Sequence, residues 1–152
     1  MQYGIEEIGA RLEIEDVITR YSLNVDTKNW AAYEDVCTPD AILDFSEIDG
    51  PVGSAAECRA SLEFAAQHFV KMQHILASFT LLELDLGEGT ARSRIAVLAP
   101  VVAEVDAQPH VFFTGAWYHD ELRRMPEGWR IHHRRTERVY FHNLPPGFTP
   151  PT

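Results

Sequence analysis

With 152 residues, the chain has the length of one ordinary domain, enough to bury about two-thirds of its unfolded surface and still enclose a small pocket. Its 13 basic and 23 acidic side chains leave a formal charge of −10, which repels phosphate backbones and anionic lipid and sets nucleic acid and membrane aside as partners. The two cysteines, Cys37 and Cys58, form no CxxC pattern or metal-like cluster and read as free thiols. There is no basic, apolar leader at the start, and no run approaches the roughly 20 apolar residues that span a bilayer, so a cytoplasmic protein is expected.

From about Ile5 to Val25, the residues Ile8, Leu12, Val17, Ile18, Tyr21 and Val25 recur at near-helical spacing, with Glu6, Glu7, Glu13 and Asp16 left for the wet side. This predicts a long amphipathic first helix. Asn29 to Val36 reads as a short second helix stopped at Thr38-Pro39, because proline lacks an amide donor and restricts the residue before it. Ala41 to Ser46 reads as a short strand. After Asp49-Gly50-Pro51, the phrase Ser54-Ala-Ala-Glu57 is a capping box and opens a third helix expected to run to about Met72, with the face Cys58, Leu62, Ala65, Phe69 turned toward a sheet or another helix.

The second half changes character. Ile75–Leu86, Thr90–Val105, His110–Arg123 and Gly128–His142 are rich in Val, Ile, Phe, Tyr and Thr, and are separated by Gly87-Glu-Gly89, Ala107-Gln-Pro109 and Pro126-Glu-Gly128. They predict four long strands joined by hairpins. Helices followed by an antiparallel meander make an α+β arrangement in which a curved sheet wraps the helices and a pocket lies at the mouth of the cone. Residues 1–143 are expected to form one domain. Residues 144–152, four of them proline, cannot continue a ladder and are expected to form an extended arm, a lid over the pocket or a strap on a neighbouring subunit.

The helix phrase Arg11-Leu-Glu-Ile-Glu-Asp-Val-Ile-Thr-Arg-Tyr21 with Asp26 beyond it, Gln73-His74 opening a strand, and Tyr118-His-Asp-Glu-Leu followed by Gly128-Trp-Arg-Ile and the arginines together resemble one family. Over about residues 5–142 the chain looks like a SnoaL-like member of the nuclear transport factor 2-like superfamily, whose fold is a cone of helices inside a curved, mostly antiparallel sheet. Scytalone dehydratase, the bile-acid dehydratase and lindane dehydrochlorinase in that superfamily pair a helix Asp with a strand His. The resemblance makes Asp26 and His74, 48 positions apart, the corresponding pair. A carboxylate that accepts one imidazole N–H fixes the tautomer, frees the other nitrogen as a base and stabilises the imidazolium that forms. On the residues alone, Asp26 could instead cap the turn Asp26-Thr-Lys-Asn29, and His74 could be a core histidine.

The resemblance further implies Tyr21, five positions before Asp26, as a hydrogen-bond donor to a carbonyl or departing hydroxyl, because the bile-acid dehydratase has tyrosine there. It places Tyr118 and Arg134 in the pocket, although simple alternation from Trp129 and Ile131 turns His133 and Arg135 inward and Arg134 outward unless a bulge intervenes. Phe69 and Val97 complete the expected substrate-binding residues; Val97 stands where the bile-acid dehydratase has a further carboxylate. The expected activity is that of a cofactor-independent, dehydratase-like lyase abstracting a proton from a small, mainly apolar, cyclic or polycyclic molecule. Its alternatives are an isomerase or cyclase using the same base, a ligand-binding module, or an assembly protein like the small subunit of aromatic-ring dioxygenases. No cofactor is expected, and no metal, since the histidines offer no three-ligand spacing. A homodimer or homotrimer is expected, because the outer face of a single-layer sheet rich in Val, Phe, Tyr and Trp needs a partner.

Overall fold

The computed structural model describes residues 2–148. Helix α1 (Ile5–Asp26) lies inside a seven-stranded sheet built from β1 (Cys37–Asp44), β2 (Val52–Ser54), β3 (Phe69–Met72), β4 (Ile75–Asp85), β5 (Thr90–Val105), β6 (Gln108–Met125) and β7 (Gly128–His142). Helix α2 (Ala55–Ala65) closes one side. The strand order is β2-β1-β7-β6-β5-β3, with β4 also pairing β5; every pairing is antiparallel except β1 with β7. This is the α+β cone expected. No described helix is long and apolar enough to cross a membrane.

The inward stripe of α1 is Ala10, Ile14, Val17, Ile18, Tyr21 and Val25, at spacings that keep one helical face on the concave side of β5, β6 and β7. Ile8 and Leu12, read from the sequence as part of that stripe, point outward, 42% and 61% exposed. The helical stripe is carried instead by Ala10 and Ile14, one position round the cylinder.

Three other elements depart from expectation. The segment after α1 forms two 3-10 turns, Trp30–Ala32 and Glu34–Val36, rather than one helix. The chain has to reverse there within a few residues, and Tyr33, fully buried between the turns, anchors the reversal. Strand β1 begins at Cys37 and contains Pro39, which falls where the register with β7 breaks between Cys37 and Ile42, so its missing donor interrupts no regular ladder. Helix α2 opens on the Ser54–Glu57 capping box as read, with the Ser54 amide donating to Glu57 Oε2 at 2.8 Å, but ends at Ala65. Phe69–Met72 becomes β3 because its backbone is taken up by β5 at Ala103, Val102 and Val101.

Two irregularities in β7 reset which side chains face inward. Leu122 pairs with Ile131 and Glu121 with His133, so His132 is an extra residue; Ala116 pairs with Arg138 and Gly115 with Tyr140, so Val139 is another. A bulge of one residue flips the facing of everything after it. Arg134 and Thr136 therefore turn inward, fully buried, and Arg135 stays exposed.

The loop Phe45–Pro51 at the open end of the cone is fixed by hydrogen bonds from Phe45 N to Pro51 O at 3.0 Å and from Gly50 N to Phe45 O at 2.9 Å. A Cβ at Gly50 would come within 2.5 Å of Phe45 Cβ and 3.2 Å of its carbonyl oxygen. Gly50→Ala should thus destabilise the protein by about 1–3 kcal/mol through overpacking. By contrast a Cβ at Gly9, within α1, meets nothing within 4 Å. Gly9→Ala should stabilise by about 0.5–1 kcal/mol through helix propensity. Urea midpoints moving in opposite directions for the two variants are the expected outcome; movement in the same direction would contradict this packing.

Candidate functional site

Asp26 is the last residue of α1 and His74 the residue just before β4. Between β3 and β4 the polypeptide changes its place along β5, from Val101–Ala103 to Thr90–Leu98, and Gln73 and His74 occupy the gap, with Gln73 N donating to Pro100 O at 3.1 Å. The His74 amide, left free by that break, donates to Asp26 Oδ2 at 2.8 Å, while Asp26 Oδ1 lies 2.6 Å from His74 Nδ1. Asp26 thus holds both the backbone and the ring of His74, and in the neutral ring whose Nδ1 donates to the carboxylate, Nε2 is the nitrogen left as acceptor. Both side chains are largely enclosed, His74 13% and Asp26 18% exposed. Lys28, at φ 55, reaches across from the end of α1 and donates to Ala66 O at 3.0 Å and Phe69 O at 2.8 Å, fixing the same end of the helix to the turn that precedes β3.

His74 lines a cavity of about 220 Å³ at the open end of the cone. Its walls include Phe45, Ile48, Leu62, Val97, Phe112 and Phe141, together with Tyr21 and Tyr118, so the enclosed surface is mainly apolar. Of the residues expected to bind substrate, Phe69, Val97 and Tyr118 are in this wall. The α2 face Cys58, Leu62, Ala65 and Phe69 also lines it, although Phe69 now belongs to β3. A larger groove of about 360 Å³ beside Glu13, Asp16, Arg20 and Arg130 is walled by charged side chains, Arg20 and Asp16 already ion-paired, and lacks this chemistry.

The tyrosines are packed as a group. The Tyr21 and Tyr118 rings meet edge to face at 6.2 Å, and Tyr21 Oη is 3.1 Å from Tyr33 Oη. Burial pushes all three phenols up, Tyr118 to about 12, so each is a neutral hydrogen-bond donor across the ordinary pH range. The Asp26 carboxylate also raises Tyr118, which puts that phenol within electrostatic reach of the Asp26–His74 contact. Cys58, in the same wall, is pushed up to about 11, first by burial, and is a neutral thiol rather than a nucleophile.

Arg134 is a correction. It turns inward, as the resemblance implied, but it does not reach the cavity: its side chain is fully enclosed, paired with Asp120 and covered by the rings of Tyr21 and Tyr118. A buried pair of this kind loses about 3–5 kcal/mol when one partner alone is removed. Asp120 was not singled out from the sequence, although it shares the inward face of β6 with Tyr118, two residues away. Tyr33 was hidden inside a segment read as helix.

The end of the described chain also reaches the site. Asn143, at φ 57, turns the chain after β7; its Nδ2 donates to Val111 O at 2.7 Å and its carbonyl oxygen lies 2.8 Å from His110 Nε2. Phe148 then packs against Phe112 and Phe141 and lines the cavity, while 149–152 of the expected arm lie outside the described residues. Among the described residues no group of three or more His, Cys, Asp or Glu side chains is placed to hold a metal ion.

Comparison with known proteins agrees with this architecture. Residues 6–135 match the model of the SnoaL-like domain. The uncharacterized protein Rv2910c of Mycobacterium tuberculosis (strain ATCC 25618 / H37Rv) is 33% identical over 141 residues, covering 93% of this chain and 92% of that protein. Among solved structures, a Novosphingobium aromaticivorans DSM 12444 protein provisionally named scytalone dehydratase superposes with a TM-score of 0.77 at 15% identity, covering 93% of this chain and 96% of that one. Hexachlorocyclohexane dehydrochlorinase LinA-type3 from Novosphingobium barchaimii LL02 superposes with a TM-score of 0.72 at 17% identity, covering 95% and 97%. At those identities the structural likeness speaks for the shared cone, and the match of family model and relative shows that the chain belongs to the SnoaL-like domain family.

Proposed function

We propose that the protein is a cofactor-independent, dehydratase-type lyase that removes a proton from carbon in a small, mainly apolar, cyclic molecule. The observation that carries this reading is the 2.6 Å contact between Asp26 and His74 at the wall of an apolar cavity. His74 Nε2 takes the proton, and the imidazolium is stabilised by the carboxylate already bonded to Nδ1. The proton is best drawn from a carbon beside a carbonyl, whose oxygen then gathers negative charge.

Two neutral phenols supply donors for that oxygen or for a departing hydroxyl. Tyr118 Oη has no hydrogen-bond partner among the described residues and is free to meet the ligand. Tyr21 and Tyr33 share a hydrogen bond of 3.1 Å in which either hydroxyl can donate; with Tyr33 as donor, Tyr21 keeps its own proton for the ligand. In an elimination, the electron pair released at carbon forms the new double bond, and the hydroxyl leaves as water after taking a proton from a phenol or from the His74 imidazolium. The apolar wall excludes water and strengthens each of these interactions. The names of two structural neighbours, one provisionally called a scytalone dehydratase and the other a dehydrochlorinase, accord with elimination chemistry on this fold.

Double-bond isomerisation is the second reading, favoured by Val97. Buried at 5% exposure in the cavity wall, it offers no further carboxylate to assist a leaving group, and isomerisation needs only the base and an oxyanion donor.

Exchange of carbon-bound protons for deuterium tests both readings, because each begins with the same step. Cyclohexenone, 2-tetralone and 2-decalone in deuterated buffer, followed by mass spectrometry, are suitable probes. The wild-type protein should accelerate exchange of at least one, and His74→Gln should lower that rate by about 10²–10⁴ with an unchanged melting temperature. Asp26→Asn should fall between, since it keeps an acceptor but removes the charge that stabilises the imidazolium. Equal rates for wild type and His74→Gln would contradict the proposal.

A pH prediction follows from Tyr118. Its folded-state titration is raised, so the neutral donor persists as pH increases and is lost only on approaching about 12. The exchange rate should therefore show no alkaline fall attributable to Tyr118 near the ordinary phenol value of about 10, and Tyr118→Phe should leave the shape of the pH profile unchanged while lowering its height. A fall near that ordinary value that disappears in Tyr118→Phe would contradict it.

A further inference from the structure

Behind the cavity wall lies an ion pair that does not line the cavity. Asp120 and Arg134 stand opposite each other on β6 and β7, and both side chains are fully enclosed. Arg134 Nε and Nη2 donate to Asp120 Oδ1 and Oδ2 at 2.7 Å each, a bidentate fork that fixes the plane of the guanidinium. That group lies 4.0 Å from the centre of the Tyr118 ring and 4.3 Å from that of Tyr21, so its flat surface is covered by the two aromatic side chains that form the cavity wall. Arg134 Nη1 has no hydrogen-bond partner among the described residues.

As a stabilising device this is poor design. Enclosing two charges carries a large desolvation cost, and an apolar pair of similar volume fills such a space at equal or greater stability. An orphaned guanidinium N–H adds to that cost. What an apolar pair would not provide is a cation fixed behind the face of a phenol. A cation over an aromatic ring attracts its electron density, which makes the hydroxyl of that ring a stronger hydrogen-bond donor. The phenol with a hydroxyl unclaimed by any described side chain is Tyr118; that of Tyr21 is shared with Tyr33.

We infer that Asp120 and Arg134 are positioning residues for Tyr118: Asp120 fixes the guanidinium plane, and the stacked guanidinium holds the phenol and strengthens it as donor to the oxygen that gathers charge when His74 takes its proton. Burial raises Tyr118 most; against it Arg134 lowers the phenol, and by more than the Asp120 carboxylate raises it. This role rests on the lyase reading, and it replaces direct substrate contact as the function of Arg134.

The test is a coupling experiment on proton exchange, using the ketone that the wild-type protein exchanges fastest. Asp120→Leu/Arg134→Met removes both charges together and so avoids stranding one; it is made with Tyr118 present and in a Tyr118→Phe background. The expected result is a melting temperature at or above wild type, a KM within about twofold and a kcat about tenfold lower when Tyr118 is present, with no further loss in the Tyr118→Phe background. If the double variant does not fold, Arg134→Lys, which keeps the charge but loses the bidentate fork, is carried through the same pair of backgrounds; it is expected to lower the melting temperature and to reduce kcat by less than tenfold, again only when Tyr118 is present. An unchanged kcat, an equal loss in both backgrounds, or a change confined to KM would overturn the inference. A wild-type rate equal to that of His74→Gln would instead remove the lyase reading beneath it, so the two failures are distinguished within one assay.

Discussion

Asp26 grips the amide and the ring of His74 at once, and much of the architecture around the cavity is arranged by that grip. The amide is available only because the ladder along β5 is interrupted between β3 and β4, and the carboxylate is available only because α1 ends there, its terminus tied across to the residues before β3 by Lys28. A ring held by one hydrogen bond can rotate about its own side chain. A ring whose carboxylate partner also binds the local backbone has its tautomer and its direction defined together, before any ligand arrives. Preorganisation of this kind lets a single imidazole act as a base of fixed aim.

The cavity carries little charge in its lining. The cavity is walled mainly by apolar side chains and neutral phenols, with Asp49 and His74 also in its lining, while the enclosed Asp120–Arg134 pair stands behind the tyrosines. In a low-dielectric enclosure a fixed charge acts over several ångströms without contact, while a neutral phenol can face an apolar ligand at little desolvation cost. Such an arrangement suits a substrate that is uncharged at rest and becomes charged only as the proton leaves. A chain of net charge −10 thus encloses a mainly apolar cavity.

The parts of the fold written in local chemistry were legible in the sequence. The limits of β5 and β7 coincide with those read from Gly87-Glu-Gly89 and Pro126-Glu-Gly128, and α2 opens on its capping box, because turn glycines and caps act on their immediate neighbours. What depended on distant partners was not legible. Phe69–Met72 continues a helical pattern until β5 takes up its backbone, and the direction of Arg134 is decided by an extra residue, His132, that no alternation rule reveals. Asp26 and His74 were recognised through the phrases shared with relatives and the spacing between them; their residue types alone were equally consistent with a turn cap and a core histidine. Asp120 could have been found by pairing the charges that share a face with Tyr118, once the bulge was known.

The proposed chemistry requires His74 Nε2 to be an unprotonated nitrogen turned into the cavity, with Nδ1 donating to Asp26. Nitrogen-15 NMR of the imidazole in the neutral protein measures this directly, with 2-naphthol added as a cavity ligand. The expected result is a protonated Nδ1 with a strongly deshielded proton that is lost in Asp26→Asn, and an unprotonated Nε2 whose resonance moves when the naphthol binds. A proton on Nε2 with Nδ1 bare, or an Nε2 resonance indifferent to a ligand that fills the cavity, would contradict it.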